Sequence, residues 1–270
     1  MHGCCKGATD QESVEGESRN AALAVGAQPE RVRTPYYTCE LNRRVVADGH
    51  PASLPDDCSP LAIAHEMVLH DDADWNQAML ELIEDPANQA RLERLGLVDS
   101  EAFVPEGLLP WFLSEWSDVH TYLSRGHEPL AKKAVWDAIR PSFDGAISGD
   151  YVLIAHSLGS IISGYLIGFE FIKQPKVFVT VGSQLGWSAL VRWPFRWLRR
   201  FHLDGTWVNI IDRDDLSAGF FTRDNTPADN GFTADDYLDL WVENLHPTND
   251  HDFVGYMSTS EAAEQVGPLL

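Results

Sequence analysis

Positive charge is scarce in this chain: 20 lysines and arginines stand against 41 aspartates and glutamates, a formal net charge of −21 at pH 7 over 270 residues. Every phosphate contact would work against a repulsive field, which argues against nucleic acid as a partner. Cysteine is sparse as well. Cys4, Cys5, Cys39 and Cys58 all fall in the first quarter, Cys4 and Cys5 are adjacent and poorly placed to pair, and no C-x-x-C spacing offers a zinc site. Free thiols of a reducing compartment are expected. No apolar run reaches membrane-spanning length, and the first residues lack the basic start and apolar middle of a secretory signal. The expectation is a soluble, cytoplasmic protein.

Metal chemistry is weakly represented too. The run His65-Glu66-Met67-Val68-Leu69-His70 resembles a zinc-protease helix but has one residue too many, which turns the second histidine off the face of the first. The acidic loop from Asp224 to Asp236 contains Asn230-Gly231, yet Thr226 and Ala228 stand where a calcium loop needs ligands. No metal and no cofactor are expected. What the chain does have is apolar bulk: 44% of its residues are hydrophobic, with nine tryptophans and twelve phenylalanines, enough for a large core.

The most informative segment is Ala155-His156-Ser157-Leu158-Gly159. It follows the apolar run Tyr151 to Ile154 and leads into a second apolar stretch, Ser160 to Gly168. This reads as a strand, a sharp turn with serine at its apex, and a buried helix. A serine that attacks a carbonyl must be held clear of the sheet on a strained turn, where the residues two places either side crowd one another. Ala155 and Gly159 are small enough to meet that demand. A helix starting at Leu158 aims free N–H groups and its positive dipole end at the site where an oxyanion would form.

On these residues the chain resembles the α/β-hydrolase family, in particular bacterial lipases and esterases whose elbow also begins with alanine. The resemblance implies a doubly wound, mostly parallel sheet with helices on both faces, and a triad in the chain order serine, acid, histidine. Lys176 to Val181 reads as a buried strand, followed by Trp207 to Ile211, which runs into Asp212-Arg213-Asp214-Asp215. The family places its acid about three residues past that strand, which selects Asp215 ahead of Asp214 and Asp212. Tyr237 to Glu243 reads as the last strand, and the loop after it carries His246 and His251. His251, which precedes an aromatic residue and an amphipathic segment, is the expected base, with His246 as the alternative. The implied activity is cleavage of a carboxylic ester through Ser157, His251 and Asp215, with an acyl-enzyme intermediate.

The amino terminus, Met1-His2-Gly3-Cys4-Cys5, looks like the family's His-Gly turn. The resemblance then assigns the oxyanion-hole donors to the backbone N–H of Leu158 and that of Cys4 or Cys5. In the family an apolar strand precedes this turn, so the expectation is a true start upstream of Met1, the alternative being a sheet that has lost an interior strand. The helix-like segment Asp10 to Val25 and the short run Arg31 to Tyr37 follow in the family's order.

The expected division is residues 1–40 as the first part of the core, 41–123 as a helical cap insertion, and 124–270 as the remainder of the core with the elbow and triad. Ala62 to Leu69, Trp75 to Leu95 and Gly107 to Leu123 show helical spacing, and Pro129 to Ile139 reads as a helix of the core. Trp111, Phe112, Trp116 and Tyr122 offer an acyl pocket or simply a core for the cap, and a large aromatic cap favours lipid-like esters over small ones. The segment Gly186 to Phe201 is basic and aromatic in an acidic protein, so Trp193 and Trp197 are candidates for contact with a membrane surface. A second class of function stands beside the hydrolase: a catalytically silent protein of this fold that binds a partner or small ligand.

Overall fold

The computed structural model describes residues 11–28, 32, 122, 135–137, 139–141, 143, 150–186, 201–215, 218–219, 227–228, 231–247 and 249–270. The chain divides into two compact units, Met1–His2 with Asp10–Tyr36 and Arg140–Leu270, and Gly3–Thr9 with Tyr37–Ile139. The elements below belong to the first unit. The His2 to Cys5 turn, the strand expected up to Tyr37, the cap helices apart from Tyr122, and the Trp193/Trp197 segment lie outside the described residues.

Four strands form one sheet in the order β1-β2-β3-β4: β1 Val152–His156, β2 Val177–Val181, β3 Phe201–Asp212 and β4 Phe232–Val242. All neighbours are parallel, so the four C-terminal ends open on one side of the sheet, where α/β proteins bind ligands. The inner strands are built for burial on both faces. Val177-Phe178-Val179-Thr180-Val181 is buried at every position and reads as a continuous β-branched and aromatic run, as parallel strands covered on both sides do.

One face packs Val177, Val179, Val181, Val208, Ile210 and Val242 against helix α1 (Gln11–Ala24) and two short terminal helices, α3 (Phe253–Met257) and α4 (Ser260–Val266). Ala21 and Val25 come from the α1 segment, Tyr256 and Met257 from α3, and Ala262 and Val266 from α4. Helix α2 (Leu158–Gly168) shares no residue with that cluster, meets β1 and β3, and is buried at every position but Tyr165. An apolar surface all round marks it as an interior helix. The other face of the sheet carries Phe178, Phe201, Trp207 and Phe232 in ring contact. Beside them lies a polar row across the register Thr180–Asn209–Asp239.

This row is internally bonded. Trp207 Nε1 donates to Thr180 Oγ1 at 2.9 Å, Thr180 to Asn209 Oδ1 at 2.8 Å, and Asn209 Nδ2 to Asp239 Oδ1 at 2.9 Å. Tyr237 donates to the same Asp239 oxygen at 2.5 Å. Burial nonetheless raises the Asp239 carboxyl above its usual range, with the two hydrogen bonds opposing that shift, and it also raises the Tyr237 hydroxyl.

Two strands begin earlier than the sequence suggests. β3 starts at Phe201 rather than Trp207, and β4 at Phe232 rather than Tyr237, so part of the stretch read as an acidic loop is strand. For β4 the reason is position: it ends the described sheet on the side away from β1, and Thr233, Asp235 and Asp236 face solvent, where an edge tolerates charge and loses the apolar signal. His202 of β3 meets Thr233 and Asp235 across the pair. Among the described residues, no helix is long and apolar enough to cross a membrane, and no cluster of three potential metal ligands occurs.

Candidate active site

Ser157 follows the last residue of β1 and caps α2 with φ 54° and ψ −131°. A non-glycine residue at positive φ costs about 1–3 kcal/mol and survives only where its surroundings hold it. Here the Ser157 N–H donates to the Val181 carbonyl at 3.0 Å, while its own carbonyl accepts from Ser160 N at 2.9 Å and Ser160 Oγ at 2.6 Å. Ser183 Oγ donates to Ser160 Oγ at 2.8 Å, tying the turn to the segment after β2. Ala155 and Gly159 are both buried against it, as their small size allows. Leu158 is the first residue of α2, and its N–H belongs to the first turn, which has no acceptor within the helix.

Beyond β3, Asp215 is buried, with its side chain 1% exposed. Its Oδ2 accepts from His251 Nδ1 at 2.6 Å and from the Tyr256 hydroxyl at 2.6 Å, and its Oδ1 accepts from Ala218 N at 3.2 Å. The imidazole of His251 is 23% exposed. A carboxylate on Nδ1 sets the tautomer that leaves Nε2 as a proton acceptor. The phenol of Tyr256 in turn accepts from Asp212 N at 3.1 Å, and burial, followed by the Asp215 charge, raises its hydroxyl well above the ordinary tyrosine range.

The carboxylate of Asp212 has different work. Asp212 accepts from Asp214 N at 2.7 Å and from Asn244 N at 2.5 Å, so it clasps the end of β3 to the residue past β4. Asn244 then fastens the histidine loop: its Nδ2 donates to the carbonyls of Asp250 and Asp252 at 3.0 and 2.9 Å, and its Oδ1 accepts from His246 N at 2.9 Å. Gly255 lies so close to that Oδ1 that a side chain there would collide with it. His246 is therefore held through its backbone, and the imidazole bonded to Asp215 is that of His251. Asp250 has its carboxyl raised by burial and by the charges of Asp212, Asp214 and Asp215, with His246 opposing.

Serine and histidine are connected through His156, the residue before Ser157. Its Nε2–H donates to the His251 carbonyl at 2.9 Å, and its ring centroid lies 4.6 Å from that of His251 and 5.3 Å from that of Phe253. Gly182, at φ 51° after β2, completes the floor: a Cβ there would stand 3.0 Å from His251 Nδ1 and 3.1 Å from Asp215 Oδ2. Gln184, in the 3-10 turn Gln184–Gly186, donates from Nε2 to Ser157 Oγ at 2.9 Å.

Sequence reasoning singled out Ser157, Leu158, Asp215 and His251, which the structure gathers at the C-terminal ends of β1, β3 and β4. Asp212 accepts from the N–H groups of Asp214 and Asn244, His246 is held through its backbone, and Cys4 and Cys5 lie outside the described residues. The roles of His156, Gln184, Asn244 and Tyr256 were missed. Only His156 carried a local signal, its place inside the pentapeptide. Comparison with known proteins gives no match: no family model, curated protein or solved structure is recognisably similar.

Proposed function

We propose that the protein is a serine hydrolase of the α/β-hydrolase type that cleaves a carboxylic ester, with Ser157 as nucleophile, His251 as base and Asp215 as its orienting acid. The observation that carries this reading is the carboxylate-bound imidazole of His251, fastened through His156 to a serine held at positive φ. His251 Nε2 takes the Ser157 proton as Oγ bonds to the carbonyl carbon, and the C=O electron pair moves onto oxygen. Collapse of that adduct releases the alcohol with the proton from His251 and leaves an acyl-serine. Water, deprotonated by the same imidazole, adds to the acyl carbon, and the carboxylic acid leaves as Ser157 recovers its proton. The Leu158 N–H, in the first turn of α2, is the proposed donor to the oxyanion. Lipid-like esters are proposed ahead of small ones, on the aromatic content of residues 111–122.

The test is covalent labelling by a fluorophosphonate, in which the Ser157 oxygen displaces fluoride from phosphorus and its proton passes to His251. Wild type is expected to label, and folded Ser157→Ala and His251→Ala variants are expected not to. A folded wild type that stays unlabelled overturns the reading in favour of a silent binding protein.

A further inference from the structure

Gln184 is a buried polar side chain, 2% exposed, and its amide is only half used. Nε2 bonds Ser157 Oγ, while Oε1 is buried without a hydrogen-bond partner. A buried orphan acceptor raises the energy of the resting protein and calls for an explanation beyond packing. The amide is also held from both sides along the chain. The Ser183 hydroxyl bonds Ser160 and accepts from Leu185 N at 3.1 Å, and the Ser183 carbonyl accepts from Gly219 N at 2.7 Å. The backbone around Gln184 is thus fixed to the elbow, and its donor is aimed at the one oxygen that would react.

Resting on the reading of Ser157 as nucleophile, we propose that Gln184 is a further catalytic residue, a side-chain donor whose N–H passes from Ser157 Oγ to the ester carbonyl oxygen as that oxygen becomes negative. When Oγ bonds to carbon it turns from a hydroxyl into an ester-type oxygen, a weaker acceptor. At the same moment the electron pair of the C=O bond arrives on an oxygen attached to that same carbon. Gln184 keeps both of its N–H bonds throughout, and only the acceptor changes. The Ser157 proton travels to His251 and later leaves with the alcohol. A donor that strengthens its bond only as charge develops lowers the barrier without tightening substrate binding. With the Leu158 N–H it makes a two-donor oxyanion site.

The experiment compares wild type with Gln184→Met, of similar length but without the donor, and Gln184→Glu, after circular dichroism confirms folding. Turnover of p-nitrophenyl butyrate and the rate of fluorophosphonate labelling are measured across pH. Gln184→Met is expected to lower kcat about a hundredfold with little change in KM and to slow labelling in parallel. Gln184→Glu places a carboxylate against the oxyanion, so it is expected to be slower still at neutral pH. Its rate relative to wild type should rise as pH falls and the introduced carboxyl becomes a donor, while the Gln184→Met ratio stays flat. That pH signature would not arise from a merely structural side chain. Wild-type kcat in Gln184→Met, or a flat ratio for Gln184→Glu, overturns the role of Gln184. Should either variant misfold, the other decides, with Gln184→Ala as the replacement. Absence of labelling in folded wild type instead removes Ser157 as nucleophile, so the two failures are distinguishable.

Discussion

Tyr256 and His251 bond the same oxygen of Asp215, each at 2.6 Å. With Ala218 N on the other oxygen, the carboxylate is held from three directions and cannot turn away from the imidazole. Tyr256→Phe removes one of those donors and leaves the Asp212 N–H without its acceptor. The expected cost is about 1–3 kcal/mol of stability in denaturant unfolding, together with a fall in turnover of about tenfold as the carboxylate loosens. Burial raises the Tyr256 hydroxyl in the folded state. The stability carried by its neutral form is therefore whole below the unfolded value and is lost only as pH rises through the raised folded one. The difference between variant and wild type should stay level from about pH 6 to about pH 9, since an unfolded tyrosine titrates near 10. A difference that shrinks within that range would contradict the assignment.

His156 acts as a fastener between the elbow and the histidine loop. His156→Phe preserves a ring against His251 and Phe253 but loses the hydrogen bond to the His251 carbonyl. The loss of one buried bond should cost about 1 kcal/mol in thermal unfolding, and a small displacement of His251 should lower kcat by about tenfold to a hundredfold with KM nearly unchanged. Wild-type kcat in the folded variant would show that this bond does not set the position of the imidazole.

The polar row on the far face of the sheet predicts a pH effect on stability. Burial raises the Asp239 carboxyl, so the fold favours its protonated form. Its contribution is full below the unfolded carboxylate range and is lost as pH rises through the raised folded value. Asp239→Asn keeps an oxygen for the Tyr237 and Asn209 donors and carries no charge. The variant's melting temperature relative to wild type should therefore increase with pH, and near pH 3 the two should melt alike, below the usual aspartate value of about 3.9. A gap independent of pH would show that ionisation of Asp239 carries no cost.

What could be read in the chain was what is local in it. The turn at Ser157 is specified by its immediate neighbours, since two small residues, a buried strand and an apolar helix are all within reach of one another in sequence. Asp215 and His251 were legible by chain order, but the choice among Asp212, Asp214 and Asp215 depends on Asn244 and Tyr256, which arrive from beyond β4. The partners of Gln184, Tyr256 and His156 lie 27, 41 and 95 residues away, and no periodicity carries that information. The early start of β4 was hidden for another reason: on its solvent-facing stretch, pairing with β3 defines the strand while alternation of apolar residues fades.

The long reach of those bonds has a consequence for how the protein comes into being. Hydrogen bonds spanning 27, 36 and 95 residues form only after long loops have closed, and parallel strands pair late because each crossover must be ordered first. A growing chain that has emerged past Ser157 but not past His251 lacks the imidazole that Asp215 holds. A collapsed state whose strands have not yet come into register has not yet joined the two. Recovery of the Asp215–His251 pair during refolding is thus a report on the whole sheet, and that pair is among the last things the chain acquires.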